Sequence, residues 1–277
     1  VRMAGATLDG AHADPALAAE TLTLPGTMVI GEQREFIDVP AIEAARRELL
    51  HAIASEHRRT LLDLVNAASS DRDAAFGGRA GGVRALRGTA VALLCVLDES
   101  VWVEPVEALY AGAATMTDRV AALAALCHAE HPARERALAD FRQRFDGNAL
   151  VIDKWFALQA MSRREGTGRA VVALSAREDF DTGNPNRLRA LISTFSGANP
   201  LRFHDGRGHG YRFVGDHVIA LDPVNPRIAA RLIAPLVRWR RFTDPAARLM
   251  RTELERIRAA GVGSADVIEQ IDRALQA

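Results

Sequence analysis

The chain has 277 residues, 48% hydrophobic and 25% charged, with 35 basic and 35 acidic side chains that sum to a formal net charge of zero. This is globular composition with enough apolar mass for a sizeable core, and it provides no global field to draw the chain to nucleic acid or anionic lipid. The best apolar run, Thr89 to Leu97, is far shorter than the ~20 residues of a membrane-spanning helix, so neither a membrane nor nucleic acid is an expected partner.

Strand-like alternation is scarce, aromatics are only 5% of the chain, and helix punctuation recurs from end to end. The fold class this predicts is all-α. Asp14-Pro15 opens a helix that Pro25-Gly26 closes, and Asp38 and Pro40 open a long segment to about Ala68, with Ile42, Leu49, Ile53, Leu61 and Val65 close to one stripe. Ser69 to Gly82 is polar and glycine-rich and is expected to form a mobile loop. Arg84 to Leu97 is a strongly apolar helix. Glu104-Pro105, Thr117-Asp118, His131-Pro132 and Gly147-Asn148 each mark a further start, and the helix from Asn148 to Met161, with Trp155 and Phe156 at its centre, should be buried between neighbours.

The clearest passage is Asp181 to Pro200. Asn184 can cap a helix, Pro185 fits its first position, and Gly197 can end it in the left-handed conformation. Leu188, Leu191, Ile192 and Phe195 form its apolar face, while Arg187 and Arg189 fall on opposite flanks, where a long stem can lie on apolar surface with its charge outward. Asn199-Pro200 and Asn225-Pro226 repeat the opening. In the third copy Arg227, Arg231 and Arg238 share one side, Ile228, Leu232, Leu236 and Trp239 another, and Pro235 should kink the helix. Asp244-Pro245 and Ser264 open the last two helices. Short helices in series suggest a HEAT/armadillo-like α-α superhelix, a solenoid of paired antiparallel helices forming a single domain over residues 1–277.

Catalytic chemistry has no candidate residues. A zinc hydrolase motif H-E-x-x-H is absent; His128, Glu130 and His131 stand in the wrong order, and His204, Asp205 and His209 lie in a glycine-rich turn. Neither a G-x-S-x-G motif nor a cysteine in a basic, exposed setting is present. Lys154 is the only lysine, and with so much alanine this reads as compositional bias rather than an anion-binding signal. Cys95 and Cys127 sit within apolar helical patterns, as expected of buried thiols in a reducing compartment, so a cytoplasmic location is the default. The chain begins at Val1 with no signal-peptide pattern, as a fragment of something longer would.

A resemblance adds what periodicity cannot. Asp14-Pro-Ala-Leu-Ala-Ala-Glu, Leu-Thr-Leu-Pro25, Met116-Thr-Asp118, Asp153-Lys-Trp-Phe156, Asn184-Pro-Asn-Arg187, Phe195-Ser-Gly-Ala-Asn-Pro200, Phe203-His204, Gly210-Tyr211 and Asn225-Pro226 follow one another as in the C-terminal domain of the bacterial aminopeptidase N family, alanyl aminopeptidases of the gluzincin metallopeptidases. The likeness covers essentially the whole chain. It implies a non-catalytic helical domain that packs on the catalytic domain of the same polypeptide and encloses the cavity where peptide substrates lose their N-terminal residues. Zinc would belong to that catalytic domain and no cofactor to this chain, which alone should be inactive. The resemblance also implies that Arg189 and Arg231 are the arginines that face the cavity and meet the substrate. The rival expectation is an independent HEAT-like scaffold that binds a protein in its concave face.

Overall fold

The computed structural model describes residues 1–67 and 78–276. These are all-helical; the single extended pairing among them is a parallel bridge between Ile37 and Phe242. The expected mobile loop lies outside the described residues over 69–77, but Gly78 to Gly82 are the first turns of the Gly78–Leu94 helix. Glycine's flexibility is overridden there by packing. At Gly82 an added Cβ would stand 2.9 Å from the Ala16 backbone nitrogen, so a larger side chain would push the helices apart.

Two compact units divide the chain, one from Val1–Gly26 and Glu43–Asp146, the other from Thr27–Ile42 and Gly147–Ala277. In the first, Asp14, Thr115 and Asp98 cap their helices by accepting backbone N–H groups, from Leu17, Asp118 and Ser100 respectively. Asp98 is why the Glu104-Pro105 start is not used: the helix already begins at Glu99 and carries Pro105 through its interior to Gly112. The long segment expected to about Ala68 is two helices, Val39–Glu56 and Arg58–Asn66, broken at His57. Its stripe is therefore discontinuous: Ile53, Leu61 and Val65 are buried while Leu49 is exposed. The helix Arg2–Asp9, which carries no cap or proline signal, is not evident in the sequence. The core holds Trp102, Leu123, Leu126 and Phe141 together with a buried ion pair, Arg87 to Asp118 at 3.1 Å.

The second unit is built on the Asn-capped turns. Asn148, Asn184, Asn199 and Asn225 each accept an early backbone N–H of the helix that follows. Asn199 does more, because its amide also donates to the carbonyls of Ala160 and Ser162, both at 2.8 Å, tying two helix ends to a third. The Ala149–Ala160 helix buries Ile152, Trp155, Phe156 and Leu158, as its pattern predicts. At Pro235 the helix breaks rather than kinks, giving Pro226–Leu232 and Ala234–Val237, since the proline then occupies a helix start where no N–H is needed. Helices Ala246–Ala259 and Ala265–Gln276 complete the unit.

Candidate functional site

Leu188, Leu191, Ile192 and Phe195 are all buried, and Asn184 caps through Oδ1 to the Asn186 and Arg187 N–H groups. Two details of this stretch differ from its sequence pattern. Between Arg189 and Ser193 the backbone widens into a π-helical turn, in which the Thr194 N–H and hydroxyl both donate to the Arg189 carbonyl. Gly197 is not left-handed and lies within the Thr194–Ala198 helix; the chain turns at Asn199, which ends one helix and caps the next.

The two flanking arginines have opposite fates. Arg187 does not carry its charge outward: it is buried, with Nε 2.6 Å from the Asp153 carboxylate, Nη1 donating to the Asp179 carbonyl at 2.8 Å, and its guanidinium over the Phe156 ring. A charge removed from water requires such a partner, so Arg187 clamps the core. Arg189 is exposed, and among the described residues its side chain reaches only that of Asn186, at 3.3 Å.

Arg231 stands elsewhere, at the edge of a cleft of about 350 Å³ that it lines with Ser193, Ser196, Pro200, His204 and Arg238. The π turn and the Pro235 break border this cleft. The structure thus brings Arg231, but not Arg189, into it. The Arg231 side chain makes no hydrogen bond or ion pair among the described residues, whereas Arg238 is paired with Glu32 and Arg241 donates to the Arg34 carbonyl at 2.8 Å. Arg240 bonds the Ala274 carbonyl at the end of the last helix. Arg238, Arg240 and Arg241 are therefore clasps on neighbouring segments.

His204 separates this cleft from a second of about 480 Å³, lined by Asp38, Asp205 and Asp244 among others. Its ring is 7% exposed, stacks on Phe242 with centroids 4.6 Å apart, and bonds the Tyr211 hydroxyl through Nδ1 at 2.7 Å. Burial pushes the His204 pKa down to about 3, so the ring is neutral at physiological pH, and burial likewise pushes the Tyr211 hydroxyl up. The carboxylates of the second cleft each accept a local backbone N–H, Asp38 from Ala41, Asp205 from Arg207 and Asp244 from Arg248. No group of three or more His, Cys, Asp or Glu that could hold a metal ion occurs among the described residues, which includes the positions around His128 and His209. Among those residues no helix is long and apolar enough to cross a membrane; Cys127 is buried and Cys95 half-buried.

A family described as a domain of unknown function, DUF3458_C ARM repeats, matches residues 1–276. Aminopeptidase N of Caulobacter vibrioides is 36% identical over 263 residues, which is 95% of this chain and 30% of that protein. The aminopeptidase N proteins of Escherichia coli and Haemophilus influenzae are each 35% identical with the same shares covered. Among solved structures, a crystal structure of Legionella pneumophila aminopeptidase A in complex with aspartic acid superposes with a TM-score of 0.87 at 25% identity, over 98% of this chain and 33% of that one. The chain thus spans 30% of the length of the curated relatives, and what it shares with them is a helical segment rather than the whole protein. With its short capped helices matched from one end to the other, the chain belongs to the DUF3458_C family of armadillo-repeat domains.

Proposed function

We propose that this chain is the non-catalytic C-terminal domain of a cytoplasmic zinc aminopeptidase, which packs on the catalytic domain of the same polypeptide and restricts access to the cavity where peptides lose their N-terminal residues. The observation that carries this reading is the end-to-end match, 95% of the chain against 30% of aminopeptidase N. A segment that matches 30% of a longer aminopeptidase supports a role as one part of such a polypeptide. Zinc and the general base belong, in this reading, to the remainder of the polypeptide.

Arg189 and Arg231 are both exposed, and we assign them to the side that meets the substrate. An arginine fork matches a carboxylate in geometry as well as charge, so such residues would favour peptides with a free C-terminus. In the full-length enzyme, replacing both with alanine should raise KM for tripeptides several-fold more than KM for a neutral amino-acid amide, with kcat little changed. Equal effects on the two substrates would refute the assignment. The chain alone, purified and supplied with zinc, should release no amino acid from either substrate.

A further inference from the structure

We infer that the cleft lined by Ser193, Ser196, His204 and Arg231 is a binding site for a singly charged carboxylate, the C-terminus of a short peptide, and that this chain forms the site without help from any other segment. The inference rests on the proposed peptidase role only for the peptide that would bear the carboxylate.

The charge count selects the ligand. Arg238, the other cationic residue of the cleft, is paired with Glu32, a carboxylate that also meets Arg241 outside the cleft lining. Arg231 has no partner among the described residues, and no acidic residue lines this cleft. His204 is neutral. Arg231 is therefore the one cation lining the cleft with no carboxylate partner among the described residues, and a single guanidinium matches one carboxylate group. The second cleft, with Asp38, Asp205 and Asp244 in its wall, would repel either anion.

Hydrogen bonding points the same way. His204 is more than nine-tenths buried and lines both clefts, and because Tyr211 occupies Nδ1, Nε2 is the ring nitrogen without a hydrogen bond among the described residues. When Tyr211 donates its hydroxyl proton to Nδ1, Nε2 carries the imidazole proton and is a donor. Ser196 is buried and its hydroxyl makes only a long bond, 3.4 Å, to the Ser193 carbonyl. Such a weakly held hydroxyl can turn to a better acceptor. A guanidinium at the rim with neutral donors deeper in the cleft suits one carboxylate group, and about 350 Å³ accommodates the residue that carries it.

The test is a titration of the 277-residue chain, its helical fold verified by circular dichroism, followed through backbone amide shifts in nuclear magnetic resonance. The probes are N-acetyl-dialanine as the free acid, the same dipeptide as its amide, and inorganic phosphate. The acid should shift the amides of Ser193, Ser196, Gly197 and His204 in a saturable manner, with the amide and phosphate at least tenfold weaker. R231A should weaken the acid at least tenfold, and R231K by less. Absence of those shifts, equal binding of acid and amide, tighter binding of phosphate, or unchanged affinity in R231A would each overturn the inference. The peptidase reading does not depend on this outcome, since it rests on the end-to-end match and fails instead if the full-length polypeptide releases no N-terminal residue from a tripeptide.

Discussion

The buried ion pair between Arg87 and Asp118 allows a quantitative prediction. The two side chains are 2% and 1% exposed, and at 3.1 Å their attraction is roughly 5 kcal/mol for an effective dielectric constant of 20. Asp118 is also fixed from its own helix start: Thr115 donates its hydroxyl to Oδ2 at 3.0 Å and accepts the Asp118 backbone N–H. Arg87 extends a second, weaker bond to the Ala67 carbonyl at 3.4 Å. Asp118→Ala would break this buried pair and leave the Arg87 guanidinium in the core without the Asp118 carboxylate, which costs about 3–5 kcal/mol and should lower the midpoint of the thermal transition by on the order of 10 °C. The double substitution R87M/D118L replaces both charges with apolar side chains and should recover most of that loss, because the desolvation of two ions is removed with their attraction. Thermal and urea melts of wild type, both single variants and the double variant complete the cycle. A loss below about 1 kcal/mol in D118A, or a double variant as unstable as the sum of the singles, would refute the claim that this pair is closed to water and coupled.

Two further outcomes follow from the second unit. Gly215→Ala would bring a methyl group against the Glu253 carboxylate, which Arg256 holds through Nε at 3.0 Å, with Arg256 Nη2 itself 2.8 Å from that methyl position. The displaced pair should cost ~1–3 kcal/mol, more than the gain in helix propensity of about 1 kcal/mol, so a stabilised G215A chain would be the contrary result. His204 makes stability depend on pH. Unfolded, its ring takes up a proton near pH 6.5; folded, burial delays this to about pH 3. Between those values the unfolded state binds the extra proton, so stability falls as the solution is acidified, by ~1.4 kcal/mol per pH unit for one proton. H204Q should flatten that slope between pH 6 and 4.5 in urea melts, and an unchanged slope would show that the ring is not buried in its neutral form.

The helix starts were the most legible part of the sequence because their cause is local. Asn184, Asn199 and Asn225 each carry cap and proline within two residues, and each caps as its dipeptide predicts. The armadillo-like, all-α architecture follows from the repetition of that signal. Local patterns misled where a distant partner decides. Nothing near Arg187 shows that Asp153, 34 positions earlier, would take its charge, and the helical wheel that placed Arg187 on a flank does not include the neighbouring helix. Asp118 read as a helix-start residue and is one, but its bond to Arg87, 31 positions away, could not be seen from spacing. Pro105 read as a start because proline usually is; Asp98 had already opened that helix. For the candidate site, Arg231 was found on its helix face, whereas the cleft beside it is bordered by the π turn and the break at Pro235. Ser193, Ser196 and His204 reach that cleft from segments that carry no sequence signal for it.

The chain crosses between its two compact units at Gly26, Ile42 and Asp146, so the second unit is not contiguous in the sequence. Its early segment supplies Ile37, whose N–H donates to the Arg241 carbonyl at 2.6 Å and whose carbonyl accepts from Thr243, and Glu32, the partner of Arg238. Cleaving the gene at the codon for Gly147 would therefore not separate two foldable halves: the later half would present Phe242 and Arg238 without the Ile37 bridge and the Glu32 carboxylate that complete them. A dissection that respects the fold would rejoin residues 27–42 to the later half through a new linker.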